Sequence, residues 1–203
     1  MKIICIGQNY RKHNQELGNE DPLLPVVFLK PDSSLLRKNS PFYIPDFSRE
    51  IHFETELVVR IDRLGKNISP KFAHRYYSEI GLGIDFTARD LQRSLRAEGK
   101  PWEIAKSFDN SAVVGKFLPV ARFKDVQSIE FSLKKNGEIV QTGSAEDMIF
   151  SIADLISYIS GFFTLKTGDL IFTGTPAGVG AVAVGDHLEG FIYDERLFHL
   201  NIK

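Results

Sequence analysis

Acidic residues at two places in the sequence could together bind a divalent metal ion. Glu54 and Glu56 lie two residues apart in a predicted strand, so both side chains project from the same face. Asp85 ends the apolar run from 80 to 84 at a predicted strand-to-helix turn, which makes it the natural third ligand. Converging carboxylate oxygens suit a hard ion such as Mg²⁺, Mn²⁺ or Ca²⁺ and leave positions open for water and substrate. The alternative is that the two glutamates form the solvated face of an edge strand, because charged residues are mostly exposed.

A histidine and a glutamate near the start of the chain could form a general base. His13 and Glu16 are three residues apart, close enough to meet if their segment forms a helical turn. A carboxylate beside an imidazole fixes its tautomer and raises its basicity. The alternative is an exposed histidine in a polar loop.

Four more polar residues are candidates for contact with a substrate. Arg89 and Gln92 share one face of a predicted helix and could hold a carboxylate, or simply belong to the surface. Lys106 could act as a base at the site; the alternative is that it is an ordinary surface lysine. The glycine-rich segment 173–180 lacks the Gly-Lys-Ser/Thr ending of a phosphate loop, which excludes that motif. A tight turn carrying the Thr175 hydroxyl could still hold a carboxylate.

The elements that would position these residues are mostly short strands. Apolar runs predict buried strands over residues 2–6 and 80–84, and alternation predicts one continuous strand over 51–59. The pair Asn136-Gly137 predicts a tight hairpin. The regular strand–helix alternation of a doubly wound nucleotide-binding sheet is absent. We therefore expect a strand-rich α+β fold with few helices.

Two helix starts are predicted from capping-box spacing. Thr87 precedes Asp90 by three residues, and Ser151 precedes Asp154 by three residues, in each case just before apolar positions with helical spacing. In such a box the hydroxyl and the carboxylate each accept a backbone N–H at the helix start. We therefore expect helices to begin at both places.

Composition limits the class of protein. The 203 residues suggest a single domain, 1–203, and the 43% hydrophobic content supports a buried core. The 25 Lys and Arg residues nearly balance the 26 Asp and Glu residues, which argues against a nucleic-acid-binding surface. Cys5 lies in an apolar run and is expected to be a small buried hydrophobe. We find neither a signal-like leader nor an apolar run near the ~20 residues of a membrane span, and we expect a cytoplasmic protein.

Eight motifs occur in a single order across nearly the whole chain. They are Gly7-Gln8-Asn9-Tyr10 with His13 and Glu16, Phe28-Leu29-Lys30-Pro31, His52-Phe53-Glu54-Thr55-Glu56-Leu57, Asp85-Phe86-Thr87-Ala88-Arg89-Asp90-Leu91-Gln92, Pro101-Trp102, Ala105-Lys106-Ser107-Phe108-Asp109, Met148-Ile149-Phe150-Ser151, and the segment from Thr173 to Gly180. As a set they resemble the fumarylacetoacetate hydrolase family, and within it the small acylpyruvate hydrolase branch.

The resemblance implies a mixed β-roll, a metal site and, in most members, a homodimer. By it, Glu54, Glu56 and Asp85 would bind Mg²⁺ or Mn²⁺. His13 and Glu16 would form the catalytic dyad on a segment that orders over substrate, and Lys106 would lie near the metal and the developing charge. Arg89, Gln92 and Thr175 would position the substrate. One departure stands out: after Asp109 the chain reads Asn110-Ser111-Ala112-Val113-Val114-Gly115-Lys116, without the Gly-Pro common there in relatives, a change expected to affect the shape of the pocket's outer wall.

Two kinds of chemistry are compatible with such a site. Our leading hypothesis is hydrolysis of a C–C bond in acylpyruvates, in which His13 activates a water and a metal-stabilised enolate leaves as pyruvate. The alternative is an oxaloacetate (2-oxo acid) decarboxylase, or a keto–enol tautomerase or isomerase, on the same metal site. A binding protein in which the carboxylates only clamp a structural ion is the rival from another class.

Overall fold

The computed structural model describes residues 1–37 and 40–203, which form three sheets with short helices packed around them. The strands are β1 Ile3–Gly7, β2 Val26–Lys30, β3 Ile51–Phe53, β4 Thr55–Ile61, β5 Tyr77–Asp85, β6 Thr87–Ala88, β7 Ala112–Pro119, β8 Glu130–Lys135, β9 Glu138–Ser144, β10 Leu170–Phe172, β11 Gly180–Ala181, β12 His187–Ile192 and β13 Glu195–Asn201. The α-helices are α1 Arg11–Glu16, α2 Arg89–Ala97, α3 Glu103–Lys106 and α4 Ile152–Phe162. Short 3-10 helices cover Asp32–Ser34, Pro70–Arg75, Val120–Arg122, Val126–Ser128 and Ala145–Asp147. The predicted strand-rich α+β class is confirmed.

The largest sheet has six strands in the order β2-β1-β10-β4-β5-β7. Strands β1 and β10 are parallel, and the other neighbours are antiparallel. Strands β4 and β5 lie inside this sheet, and their apolar residues, among them Leu57, Val59 and Ile80, are fully buried. A charged side chain on either strand is therefore removed from water unless a pocket reaches it.

The predicted strand over 51–59 is interrupted at Glu54, so that part of the prediction is wrong. Strand β3 belongs to a three-stranded sheet, β11-β3-β6, whereas β4 belongs to the six-stranded sheet. The main-chain oxygen of Glu54 accepts from the N–H of Asp85 at 2.8 Å, and the N–H of Thr55 donates to Oε1 of Gln141 at 3.0 Å. These two bonds hold the chain where it passes from one sheet to the other, and they place Glu54 and Asp85 side by side.

One of the two predicted capping boxes forms. Ser151 and Asp154 cap α4 reciprocally, as expected. Thr87 does not cap a helix: it lies in β6, α2 begins at Arg89, and the N-cap residue has no side-chain bond. The Thr87 hydroxyl instead accepts from Nζ of Lys106 at 2.7 Å, while the Asp90 carboxylate accepts from Oγ of Ser48 at 2.6 Å. Both side chains are thus used for tertiary contacts.

The remaining local predictions are confirmed. Strand β1 occupies the first apolar run and Cys5 is fully buried within it, where burial raises the pKa of its thiol. Asn136 and Gly137 both have positive φ, 54° and 88°, and join β8 to β9 in a four-stranded sheet. Among residues 1–37 and 40–203, no helix combines the length and apolarity needed to cross a membrane.

Candidate active site

Three buried carboxylates converge where β4 and β5 meet. One oxygen from each of Glu54, Glu56 and Asp85 can be chosen so that all lie within 4.8 Å of one another. The three residues are 6%, 1% and 1% exposed, so the alternative of a solvated edge strand is excluded. The register explains the grouping, because Glu56 pairs across from Gly83 and Glu54 lies beside Asp85 at the end of β5. A cluster of hard oxygen donors this close suits a divalent cation.

Three buried cations contact two of these carboxylates. Nζ of Lys106 lies 2.8 Å from Oε2 of Glu54 and 2.6 Å from Oδ2 of Asp85. Nζ of Lys30 lies 2.8 Å from Oδ1 of Asp85, and Nη2 of Arg89 lies 2.5 Å from Oε1 of Glu54. The cluster therefore contains as many positive as negative side chains, and each cation is held by a short charge-assisted contact.

The ion pairs settle the charge state of Glu54 and Lys106. Burial opposes ionisation of Glu54, but Lys106 and Arg89 outweigh it and hold the pKa of this carboxyl well below its usual range. Burial likewise disfavours the charged form of Lys106, but Asp85 and Glu54 raise its pKa above the ordinary lysine value. Lys106 therefore stays positively charged and acts by electrostatics, not by giving up its proton.

Glu56 differs from its two neighbours. It accepts the N–H of Gly174 at 2.7 Å, and no Lys or Arg in the described part of the chain makes an ion pair with it. Burial, and then repulsion by Asp85, raise the pKa of Glu56 well above its usual range. A carboxylate in this position lacks a counter-charge, and a divalent cation would supply it. The donor set thus fits a divalent cation.

Metal binding is expected to release a proton from Glu56. Because the pKa of Glu56 is higher in the folded than in the unfolded protein, protonated Glu56 favours the metal-free fold. This contribution to the free energy of unfolding is complete below the ordinary pKa of glutamate and is lost as pH rises through the pKa of Glu56 in the folded protein. Metal affinity should therefore increase with pH until Glu56 is ionised, with about one proton released per ion below that point. Calorimetric titration with Mg²⁺ in two buffers of different ionisation enthalpy measures this release, and heats independent of buffer at every pH from 5 to 8 would contradict it.

The histidine–glutamate pair forms at the end of α1. Nδ1 of His13 lies 3.2 Å from Oε2 of Glu16, and the imidazole is buried. The Glu16 carboxylate also accepts the N–H of Gly178, at 3.1 and 3.2 Å. An ionised carboxylate can only accept, so this pairing suits an imidazole that donates from Nδ1, and no residue of 1–37 and 40–203 makes a hydrogen bond with Nε2. His13 lines the same pocket as the three carboxylates.

Buried Asn9 fixes the loop that leads into α1. Its side chain donates to the main-chain oxygens of Thr173 and Phe150, at 2.8 and 3.1 Å, and accepts the N–H of Phe150 at 2.8 Å. Gly174 packs against the same asparagine: a Cβ at Gly174, whose φ is +99°, would lie 2.7 Å from the Asn9 Cβ. The loop before the dyad and the segment that holds Glu56 are therefore tied together.

The residues predicted to position a substrate all line this pocket. Arg89 and Gln92 are buried and joined by a 2.5 Å bond from Nη1 to Oε1, as their helical spacing indicates. The Thr175 hydroxyl donates to the main-chain oxygen of Thr55 at 3.1 Å and accepts from Gln141 at 2.8 Å. Its proton is therefore already engaged in this arrangement.

Sequence reasoning assigned no role to several residues that the structure places at the site. Lys30 is the most deeply buried of them; it belongs to the motif Phe28-Leu29-Lys30-Pro31, but neither the motif nor its place after the apolar run 26–29 indicated a role. Gln8, Trp102 and Arg96 also line the pocket, and Gln8 has the left-handed φ of 61°. Gln141, on β9, fixes Thr55 and Thr175 from a distant part of the chain, which no local pattern reveals.

The departure at Asn110-Ser111 lies behind the site and not in the outer wall of the pocket, where we expected it. Ser111 is fully buried, donates to the main-chain oxygen of Lys106 at 3.0 Å, and accepts from Nζ of Lys30 at 2.9 Å. Asn110 has a φ of 63°. Ser111 therefore supports Lys30 and Lys106 from behind, and neither Asn110 nor Ser111 is among the residues that line the pocket of the carboxylates.

Comparison with known proteins gives the family. The family model for the fumarylacetoacetate (FAA) hydrolase C-terminal domain matches residues 2–197. The chain belongs to the fumarylacetoacetate hydrolase family. Among solved members of this family, a putative one from Yersinia pestis CO92 is 41% identical with a TM-score of 0.95, and the match covers 100% of this chain and 93% of that one. The family fold inferred from the eight motifs is thereby confirmed.

Other members of the fumarylacetoacetate hydrolase family carry names that describe an activity. The oxaloacetate tautomerase YcgM of Escherichia coli is 42% identical over 92% of this chain and 86% of its own length. The mitochondrial oxaloacetate decarboxylase of Dictyostelium discoideum is 43% identical over 91% and 85%. The fumarylpyruvate hydrolase of Pseudomonas aeruginosa, solved with Mn²⁺ and pyruvate, is 35% identical with a TM-score of 0.93 over 100% of this chain and 89% of its own. Our leading sequence hypothesis, acylpyruvate hydrolysis, is less well supported by the relatives in sequence than its alternative.

Proposed function

We propose that this chain is a divalent-metal-dependent enzyme of 2-oxo acids whose principal reaction is the keto–enol tautomerisation of oxaloacetate. The observation that carries the proposal is the buried cluster of Glu54, Glu56 and Asp85 in one pocket with the His13–Glu16 pair. Relatives in Escherichia coli and Arabidopsis thaliana, each 42% identical, are named oxaloacetate tautomerases.

Glu54, Glu56 and Asp85 would hold Mg²⁺ or Mn²⁺. When bound, the ion acts as a Lewis acid toward the oxygen of a 2-oxo acid on which negative charge develops. Lys106 places a permanent positive charge beside two of these carboxylates and adds to the positive potential of the site. Burial keeps these charges out of bulk water, which strengthens their effect.

His13 would move the proton. Nε2 takes a proton from C3 of the keto form, and the imidazolium then gives a proton to the carbonyl oxygen, so that the atoms balance in the enol. Glu16 holds Nδ1 at 3.2 Å and supports the positive charge that His13 carries between the two transfers. The N–H of Gly178 fixes the Glu16 carboxylate and so keeps the imidazole in place.

Arg89 and Gln92 would orient the substrate, while Thr175, whose hydroxyl proton is held by Thr55, would form part of the pocket lining. Arg89 pairs with Glu54 and with Gln92, so its guanidinium is fixed before a substrate arrives. Gln92 has amide N–H groups that can face the pocket, since its oxygen accepts from Arg89. Such preorganised donors can bind the carboxylate of the 2-oxo acid without further ordering.

Hydrolysis and decarboxylation are the second candidates. The structural similarity to a fumarylpyruvate hydrolase solved with Mn²⁺ and pyruvate favours C–C cleavage of an acylpyruvate. The decarboxylase of Dictyostelium discoideum favours loss of CO₂ from oxaloacetate. In hydrolysis His13 would deprotonate a water, whereas decarboxylation needs no base at all.

A panel of assays on the purified chain separates the candidates. The decay of enol-oxaloacetate absorbance measures tautomerisation, and coupled detection of pyruvate measures cleavage of acetylpyruvate, fumarylpyruvate and oxaloacetate. We expect tautomerisation to have the highest kcat/KM, to require Mg²⁺ or Mn²⁺, and to stop with EDTA. A higher kcat/KM for pyruvate release from an acylpyruvate would overturn the assignment, and metal binding with no turnover would indicate a structural clamp.

The homodimer implied by the resemblance stays a prediction. Light scattering of the purified chain, whose monomer mass is 22.9 kDa, measures the assembly directly. A monomer with full tautomerase activity would show that the proposed chemistry needs no second subunit.

A further inference from the structure

Arg96 is an exposed cation at the mouth of the pocket. It lines the pocket together with the carboxylate cluster, Gln92 and Trp102. Its one side-chain bond among the described residues runs from Nη2 to Oδ1 of Asn19, at 2.6 Å. Arginine has five N–H donors, so the other donors of this guanidinium remain free for a ligand.

The other cations near the pocket already have a carboxylate. Lys30, Lys106 and Arg89 contact Asp85 or Glu54 at 2.5–2.8 Å. Arg93, the next arginine on α2, pairs with Glu50 away from the pocket. Within residues 1–37 and 40–203, Arg96 makes no ion pair. It is therefore the pocket cation that is free to pair with the charge of a ligand.

The position of Arg96 along α2 places it outside the deeper substrate contacts. Arg89, Gln92 and Arg96 are spaced by three and four residues, so all three lie on one helix face, with Arg96 one turn beyond Gln92. Helical side chains point back toward the N-terminus, which brings the Arg96 guanidinium over the turn that carries Gln92. A ligand held at Arg89 and Gln92 would therefore present its far end to Arg96.

The charges of the site set the kind of ligand that fits. At the cluster three carboxylates are balanced by the three cations that contact it, so a divalent ion would leave the site with two positive charges. A 2-oxo monocarboxylate neutralises one of them, and a dicarboxylate neutralises both. The unpaired cation at the mouth also favours a second carboxylate.

We propose that Arg96 is a specificity-determining residue that binds the distal carboxylate of a dicarboxylic 2-oxo acid. The inference rests on the proposed function, because it takes the 2-oxo acid head to be held in the interior of the pocket. Asn19, on the segment that follows α1, keeps the guanidinium in position. The site therefore selects dicarboxylic 2-oxo acids over monocarboxylic ones of equal length.

Binding of a matched pair of acids tests this selection without turnover. 2-Oxoglutarate and 2-oxovalerate have carbon chains of the same length. The far end of 2-oxoglutarate is a carboxylate, whereas the far end of 2-oxovalerate is a methyl group, and neither compound is a β-keto acid. Trp102 is the one tryptophan of the sequence and lines the pocket, so its fluorescence reports binding in the presence of Mg²⁺. The variants are Arg96→Gln, Arg96→Lys as the conservative change, and Arg93→Gln as the control from the same helix.

We expect wild type and Arg93→Gln to prefer 2-oxoglutarate, and Arg96→Gln to lose about 10-fold in affinity for it while 2-oxovalerate stays within about twofold. Arg96→Lys should recover part of the loss. For oxaloacetate, Arg96→Gln should raise KM and leave kcat nearly unchanged.

Each other outcome has a definite meaning. Equal affinity of the wild type for both acids, or an equal loss of both in Arg96→Gln, would overturn the role of Arg96 and leave the proposed function standing. Absence of Mg²⁺-dependent binding of either acid would overturn the proposed function and this inference with it. Selective binding of 2-oxoglutarate by a protein without tautomerase activity would support Arg96 and overturn only the reaction.

Discussion

Glu54→Gln and Glu56→Gln are both expected to abolish metal-dependent activity, yet only Glu54→Gln is expected to destabilise the metal-free protein. Each substitution removes one charged oxygen donor from the cluster within 4.8 Å. The loss of activity should be on the order of 10³-fold or more, because Lewis-acid stabilisation is worth several kcal/mol. If each substitution acted only by removing the metal, the two variants would have the same stability without metal. A difference between their stabilities therefore reports on the charges of the protein itself.

The stability difference follows from the partners of the two glutamates. Glu54 binds Lys106 and Arg89, and glutamine there leaves two buried cations short of a counter-charge, a change that typically costs about 3–5 kcal/mol. Glu56 has no cation partner among the described residues and a pKa raised by burial and by Asp85. Glutamine at this position keeps an oxygen for the N–H of Gly174 and removes the repulsion. The Glu56→Gln protein should therefore unfold at the same or a higher urea concentration than wild type.

Urea unfolding at pH 8 in EDTA measures this difference, and calorimetry confirms the loss of metal binding. Glu50→Gln is the matched control, since Glu50 pairs with Arg93 outside the pocket and should change neither quantity strongly. If Glu56→Gln destabilises the metal-free protein as much as Glu54→Gln does, Glu56 has a partner that the structure does not show, and our account of the cluster is wrong.

His13→Ala is expected to lower the rate of oxaloacetate tautomerisation by about 10²–10⁴-fold, the usual contribution of a general base. Metal affinity should be unchanged, because His13 is not one of the three converging donors. Metal-dependent decarboxylation of oxaloacetate should survive, since it removes no proton from C3. Glu16→Gln should cause a smaller loss, because it orients the imidazole at 3.2 Å and does not reach the substrate itself.

The assays follow enol decay and CO₂ release from the same oxaloacetate solution. His74→Ala is the control, because His74 is an exposed histidine outside the pocket. Equal loss of tautomerisation and decarboxylation in His13→Ala, with metal bound normally, would show that His13 holds the substrate and does not transfer the proton. Unchanged tautomerisation would remove His13 from the mechanism.

Much of the site could be predicted because its geometry is local. The two-residue period of a strand predicts that Glu54 and Glu56 share a face, and the two carboxylates do converge although Glu54 lies just before β4. Asp85 is marked by the end of an apolar run. The Asn136-Gly137 turn and the Ser151 cap depend on neighbouring residues alone, and both form as expected. The convergence of two distant segments on one cluster came from the family resemblance more than from the pattern.

The features that the sequence did not reveal depend on long-range contacts. The interruption at Glu54 is held by Gln141, 86 residues beyond its partner Thr55. Thr87 has the spacing of a helix cap, but its hydroxyl is used by Lys106. Lys30 looks like an ordinary strand end, and only the fold shows that it pairs with Asp85. Local patterns predict what a residue can do, whereas tertiary contacts decide which of its options is used.

The origin of each part of the site has a consequence for how selectivity could be redesigned. Glu56 and Asp85 lie on two interior strands of the six-stranded sheet and Glu54 directly precedes one of them, whereas His13 and Arg96 come from short peripheral helices, α1 and α2. Grafting the segment 8–24, with His13 and Glu16 retained, together with position 96 from a relative of different preference should therefore transfer the choice of substrate and leave the acidic cluster unaltered. Asn9 and Gly174 pack against each other where such a graft would meet the rest of the chain, so both residues would have to be kept.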